Sequence, residues 1–345
     1  MTASTIEFSL PAHLERGRPP EADGRARDDV RLMVGSRATG MILDDHFPNL
    51  PAYLKEGDVL VVNVSATLPA ALPAATSAGT RLLVHLSSPL PGGLWAVELR
   101  TPHGQGSEPG PDLDPQILML PDGGKVELLS RHPRVRRLWL AALHLTSEIE
   151  DYLRARGRPI RYRYAEGDWP LSAYQTVYAT ESGSAEMPSA GRPFTHEILV
   201  RLVALGVTVL PVTLHSGVAS MEEGEEPIEE RYRVPASTAA AVNVLREGGG
   251  RVIAVGTSTV RALETVVDDR GYLHPGSGYT DLVIGPDRPP RAVDALLTGW
   301  HEPRASHLML VESVGGRRLL TEMYRRAVEN GYAWHEFGDS SLILS

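Results

Sequence analysis

Between Thr80 and Leu145 the chain consists of short apolar runs broken by proline and glycine, whereas from Ser147 onward amphipathic segments of helical length alternate with apolar strands. In the first stretch RLLVHL, LWAVEL, QILML, KVELL and VRRLWLAAL are divided by PLPGG, HGQGSEPGPDLDP and PDGG, which predicts a small antiparallel β module. In the second, Ser147 and Glu150 have capping-box spacing before EIEDYLRARG, and Thr195 caps HEILVRLVALG with Gly206 ending it. Strand VTVLPVTL, helix STAAAVNVLREGGG, strand RVIAVG, a helix after Thr257, strand TDLVI and helices from Ser306 to Glu329 complete an alternating α/β order. The pattern predicts a discontinuous α/β domain, residues 1–65 and 146–345, interrupted by an inserted antiparallel β-barrel domain at 66–145.

Composition narrows the chemistry. With 345 residues, 42% of them hydrophobic, the chain can bury a large core. It has no cysteine, which excludes disulfides, thiolate zinc sites, iron–sulfur clusters and cysteine nucleophiles. No apolar run reaches the roughly 20 residues that span a bilayer, and MTASTIEFSLPAHLERGRPP lacks a basic region followed by an apolar one. The expectation is a soluble cytoplasmic protein with no membrane partner. A net charge of −9 supplies no broad basic surface for nucleic acid. Two local arginine clusters stand out. Arg131, Arg134, Arg136 and Arg137 read as solvated side chains, whereas in RARGRPIRYRY, Arg161 and Arg163 alternate with Tyr162 and Tyr164, a pattern suited to phosphate contact and base stacking.

The segment RVIAVGTSTVRALE, Arg251 to Glu264, predicts a buried strand, a tight turn at Gly256 and a helix opening at Thr257, Ser258 and Thr259. Free backbone amides at such an end suit a carboxylate, a ribose or a phosphate. Arg261 lies in the early turns, where a cation opposes the macrodipole unless an anion sits nearby. A capped helix with a solvated arginine is the alternative, and Glu264 is expected to pair with Arg261 on the helix surface.

A series of phrases then arrives in order: FSLPAHL, FPNLPAYLKEGDVLVVN, YQTVYA, PSAGRPFT, GVTVLPVTLHSG, RVIAVGTSTVRALE, PGSGYTDLVI, VDALLTGWHEP and FGDSSLIL. In this order they resemble the S-adenosylmethionine:tRNA ribosyltransferase-isomerase family of the queuosine pathway over nearly the whole chain. The departures are specific. Ala66 and Ala71 stand where NDTRVIPARL carries arginines, Pro193 replaces the histidine of PTAGLHFT, and both histidines of EEHKMHSEYYEVP are absent, leaving Glu230, Tyr232, Val234 and Pro235 matched. TNFHLPKSTLLML becomes TGWHEPRASHLML, which keeps His301 and Pro303.

The resemblance implies that S-adenosylmethionine is a ribosyl donor. A proton leaves the carbon beside the sulfonium, adenine departs, an amine is alkylated, and methionine is released as an epoxycyclopentanediol forms. No metal or redox cofactor is expected. Proton transfer falls to His215, after strand VTVLPVTL, and His301, in the loop after VDALLTGW; each has a structural reading as well. Cofactor contacts are expected from Ser189, Ala190, Gly191 and Phe194, the last either covering adenine or stapling the Thr195 helix, and from Gly256, Thr257, Ser258 and Arg261. Acceptor contacts are expected from Glu230, Tyr232, Arg161 and Arg163. Asp339 is expected to cap or turn the chain before the last strand, and His85, His103, His132 and His144 receive no role. The acceptor itself stays open between tRNA and a small-molecule amine or none, the acidic charge and the shortened acceptor segment favouring the latter over tRNA, and a scaffold that only binds nucleotide is a third reading.

Overall fold

The computed structural model describes residues 6–218, 227–303 and 305–344, so Glu222 to Glu226 of the acidic stretch fall outside the described residues. Strands β1 (Arg31–Ser36), β2 (Ile42–His46), β3 (Val59–Asn63) and β4 (Ser65–Thr67) precede β5 (Ala71–Ala75), β6 (Arg81–Pro89), β7 (Leu94–His103), β8 (Gly106–Pro109), β9 (Ile117–Met119), β10 (Lys125–Arg131) and β11 (Leu138–His144). Then come α1 (Ile149–Arg156), β12 (Glu181–Ser184), α2 (His196–Ala204), β13 (Thr208–Leu214), β14 (Glu230–Val234), α3 (Ala236–Glu247) and β15 (Val252–Val255). The chain ends with α4 (Thr257–Val266), β16 (Gly276–Thr280), β17 (Ala295–Gly299), α5 (His307–Gly315), α6 (Arg317–Glu329) and β18 (Ser340–Leu344).

One mixed sheet runs β16-β14-β13-β3-β15-β17-β18-β1-β2, and its centre, β13, β3, β15 and β17, is parallel. VLVVN of β3 is buried on both sides, which is why it reads as a continuous apolar run. Val59 and Val61 face a core shared with α3, α4, α5 and α6, while Leu60 and Val62 face one shared with α2. Successive side chains alternate across the sheet, so one strand feeds both layers.

The β module closes. Strands β5, β6, β7, β11, β10 and β9 pair in a ring, and β8 extends β7. Helix α1 packs on this barrel, with Tyr152 and Leu153 in its core and the Tyr152 hydroxyl donating to Pro121 O at 2.6 Å. Among the described residues no helix is long and apolar enough to cross a membrane.

Three local expectations change. Helix α1 starts at Ile149 after Glu148, so Ser147 lies outside the cap position and no side chain caps the helix. Only Thr280, the first residue of TDLVI, is in a strand, as the end of β16 paired with Glu230, and the carbonyls of Thr280 and Leu282 accept from Arg261. Glu264 does not pair with Arg261. It is buried and accepts the backbone N–H groups of Arg291 and Ala292 at 2.8 to 2.9 Å. The cap at Thr195 forms, accepting from Ile198 N–H at 3.2 Å, and Asp339 ties the turn before β18 by accepting from Arg31 and Ala333 N–H, each at 2.8 Å.

Candidate functional site

The carboxyl ends of β3, β13, β15 and β17 lie along one edge of the sheet, where open α/β sheets hold ligands. Asn63 ends β3 and knits this edge together. Its amide oxygen accepts from Ser65 N–H and Leu214 N–H, both at 3.1 Å, while Nδ2 donates to Leu214 O at 2.8 Å and to Ser258 Oγ at 3.1 Å. β15 ends at Gly256, whose φ of +88° is a left-handed conformation that favours glycine. A Cβ there would lie 3.3 Å from Ala190 Cβ, so the Ser189–Gly191 turn abuts the opening of α4. The first amides of α4 have no helical acceptor, and no side chain caps them.

Arg261 is turned inward. It is 8% exposed, forms an ion pair with Glu230, and donates to Leu282 O at 3.1 Å and Thr280 O at 3.3 Å. Glu230 also accepts from Gly217 N–H at 2.7 Å. The anion that the sequence demands near Arg261 is therefore the protein's own carboxylate. Tyr232 stands two residues along β14 and packs against the main core.

His215 follows β13 and is held at both nitrogens. Nδ1 is 2.8 Å from Ser65 Oγ, which is 2.6 Å from Ser184 Oγ, while Nε2 is 2.9 Å from the Arg231 guanidinium. Burial first and the Arg231 charge second push its pKa down to about 4. A Cβ on Gly183 would meet Nδ1 at 2.3 Å, so this glycine at φ +155° leaves room for the ring.

His301 follows β17. Its Nε2 is 3.0 Å from Thr298 Oγ1, its N–H donates to the Tyr324 hydroxyl at 3.3 Å, and its carbonyl accepts from Trp334 Nε1 at 3.1 Å. The ring stacks on His307, centroids 5.1 Å apart and planes 23° apart. Burial, then His307, pushes His301 down to about 3; burial, then the Arg261 charge, pushes His307 down to about 4. Two neutral imidazoles thus stand beside each other at neutral pH, one within the field of Arg261. Sequence reasoning missed His307, although a histidine opening a helix directly after HEPRAS was a usable signal. Ser65, Ser184 and Arg231 were missed as well, because their link to His215 is purely spatial.

Other expected residues lie elsewhere. Phe194 is fully buried in the α2-side core, edge-on to Phe47 at 5.2 Å. Arg192 is buried and paired with Glu21 at 2.8 Å. In the second arginine cluster, Arg161 is bound to Asp168 at 2.8 Å and to Gly167 O at 2.9 Å, Arg154 pairs with Asp151, and Arg156 with Asp122. Arg163 is exposed. The ring of Tyr164 is covered by His335 at 3.8 Å, and the Tyr162 hydroxyl is tied to Glu186, so neither is a free stacking platform. In the first cluster Arg131, Arg134 and Arg137 are paired, with Asp112, with Glu229 at 2.5 Å and Asp281 at 2.8 Å, and with Glu98 at 3.1 Å, whereas Arg136 is exposed as expected.

A mixed α/β sheet with a closed barrel threaded into it thus brings an uncapped helix opening and neutral imidazoles to the ends of its parallel strands. Residues 3–343 match the family described as queuosine biosynthesis protein. The S-adenosylmethionine:tRNA ribosyltransferase-isomerase of Symbiobacterium thermophilum is 38% identical over 354 residues, covering all of both chains, and that of Caldanaerobacter subterraneus is 33% identical with the same coverage. A crystal structure of S-adenosylmethionine tRNA ribosyltransferase from Thermotoga maritima aligns with a TM-score of 0.55 and 29% identity, covering 99% of this chain and 100% of that one. This chain belongs to the queuosine biosynthesis protein family and is an enzyme of its S-adenosylmethionine-dependent ribosyltransferase-isomerase class.

Proposed function

We propose that this protein transfers and isomerises the ribosyl group of S-adenosylmethionine onto a tRNA acceptor, releasing adenine and methionine, and that it works in the cytoplasm. The observation that carries this reading is that the uncapped α4 opening and His301, stacked on His307, follow the adjacent parallel strands β15 and β17 at one sheet edge, in a chain that aligns end to end with proteins named for that reaction. Those relatives give no support to the small-amine acceptor or to a scaffold. The proposed donor site comprises the Ser189–Gly191 turn and the amides and hydroxyls at Gly256, Thr257 and Ser258, which suit the methionine carboxylate and the ribose. Arg261 contributes its positive field rather than a free guanidinium, since Glu230 already engages it.

His301 is the proposed proton acceptor, because a neutral imidazole keeps a lone pair at neutral pH. His215 is proposed to act once Arg231 releases its Nε2; in the present arrangement that lone pair is taken. Arg163 is the exposed member of the proposed acceptor surface. The direct experiment is incubation of pure protein with S-adenosylmethionine and precursor-bearing tRNA. Release of adenine and methionine that depends on the tRNA confirms the reading; release that depends on a free amine, or no release, rejects it.

A further inference from the structure

Away from the strand ends, three donor groups from distant parts of the chain meet. Glu15 follows the turn Ala12–Leu14, Glu302 follows His301, and His335 lies in the turn before β18; one donor atom of each lies within 4.8 Å of the other two. The backbone holds them there. Trp334 N–H donates to Leu14 O at 2.8 Å and Arg16 N–H donates to Trp334 O at 3.3 Å, which sets Glu15 beside His335. The bond from Trp334 Nε1 to His301 O brings Glu302 to the same place.

His335 supplies the independent sign of a ligand. Its side chain is 8% exposed, and Nε2 has no hydrogen-bond partner while pointing at Glu15, 3.6 Å from the carboxylate. A buried ring nitrogen without a partner is costly and calls for an explanation. Nδ1 lies 3.8 Å from Glu302. Tyr164 fixes the ring, its plane 3° from that of the imidazole. Two carboxylates and one imidazole nitrogen converge on this pocket, an acceptor set that suits a positive guest. The exposed side of Glu302 leaves an entry path.

We propose that Glu15, Glu302 and His335 form a binding site for a divalent transition-metal ion such as Zn²⁺ or Mn²⁺. Two carboxylates and an imidazole suit such ions, whereas Mg²⁺ and Ca²⁺ prefer oxygen donors throughout. The absence of cysteine excludes only thiolate sites, the resemblance implies no metal, and these three ligands are too far apart in sequence to form a motif. The site goes beyond the proposed ribosyl chemistry and asks nothing of it. Through Glu302, an ion here anchors the loop that presents His301.

The test uses the full chain after treatment with chelator. Zn²⁺ is titrated by calorimetry and Mn²⁺ by loss of its free-ion resonance signal, with methylammonium as a cationic control. The expected result is one ion per chain, with Zn²⁺ bound more tightly than Mn²⁺. Glu302→Gln, at an exposed position, should weaken binding at least about tenfold. His335→Asn should do the same, and asparagine tolerates the left-handed φ of 72° at that position. Unfolding curves in chelator verify that each variant folds. No stoichiometric ion, wild-type affinity in a folded Glu302→Gln chain, or tighter binding of methylammonium than of either metal would overturn the proposal.

Discussion

The guanidinium of Arg231 lies 2.9 Å from Nε2 of His215, and because a guanidinium only donates, that nitrogen must accept. The proton of the neutral ring is therefore on Nδ1, where it donates to Ser65 Oγ at 2.8 Å. Removing the charge with Arg231→Leu should move the His215 pKa up from about 4, by on the order of one unit. Imidazole NMR titration measures it. A pKa that stays in place would mean that burial alone holds it down.

Buried neutral histidines also set the response to acid. His85, fully buried, is pushed down to about 3 by burial and then by Arg100 and Arg137, and His215 down to about 4. A folded pKa below the unfolded value near 6.5 means that the unfolded chain binds more protons between the two. Stability from these groups is complete above about pH 6.5 and is lost as pH falls toward the folded pKa values. Each group adds a slope of about 1.4 kcal/mol per pH unit inside its window. Urea unfolding at pH 7 and pH 5 should show this loss, and His85→Leu should reduce the slope by about one proton. An unchanged slope would mean that His85 is protonated in the folded chain.

Arg261 and Glu230 form a buried pair, so removing either member leaves the other uncompensated. Arg261→Met or Glu230→Gln alone should cost about 3 to 5 kcal/mol, whereas the double variant should recover much of that. The double variant should also bind S-adenosylmethionine within about tenfold of wild type, because Arg261 is already engaged. Denaturant melts and calorimetry decide both points. A large loss of affinity in the folded double variant would make Arg261 a direct ligand of the donor.

Much of this arrangement was legible in the chain itself. The α/β order, the barrel strands, the Thr195 cap and the Gly256 turn each follow from local periodicity or from a residue whose conformation is restricted. What stayed hidden is pairing across distance. In sequence, Glu264 is the nearby partner for Arg261, whereas the actual one, Glu230, is 31 residues away, and Arg161 looks free because its partner Asp168 lies in a loop. The pattern change at residue 146 marks where helices begin, yet α1 packs on the barrel, since a period identifies an element and not the core it covers. Glu302 and His335 carry no motif at all until the turn before β18 folds back.

For tRNA, the exposed and the engaged arginines should behave differently. Arg163→Ala should weaken tRNA binding and reduce the slope of log affinity against log salt by about 0.7 to 0.9 if one phosphate contact is lost. Arg161→Ala should act mainly on stability, since its guanidinium is held by Asp168 and Gly167 O. Fluorescence titration across a salt series separates them. Equal salt slopes in wild type and Arg163→Ala would move the tRNA surface elsewhere.

The stacked imidazoles give the sharpest kinetic expectation. A general base contributes about 10² to 10⁴-fold, so His301→Gln should lose turnover to that extent while donor affinity holds. His307 sits 5.1 Å from His301 and helps keep it neutral, so His307→Leu should let the His301 pKa rise from about 3. A base works only when unprotonated. The acidic limb of the kcat profile should therefore move to higher pH in His307→Leu, with little change in the alkaline limb. Adenine release measured across pH for both variants reads this directly. Wild-type release by His301→Gln would reduce His301 to a structural part of the β17 loop, and an unmoved limb in an active His307→Leu enzyme would separate His307 from the proton transfer.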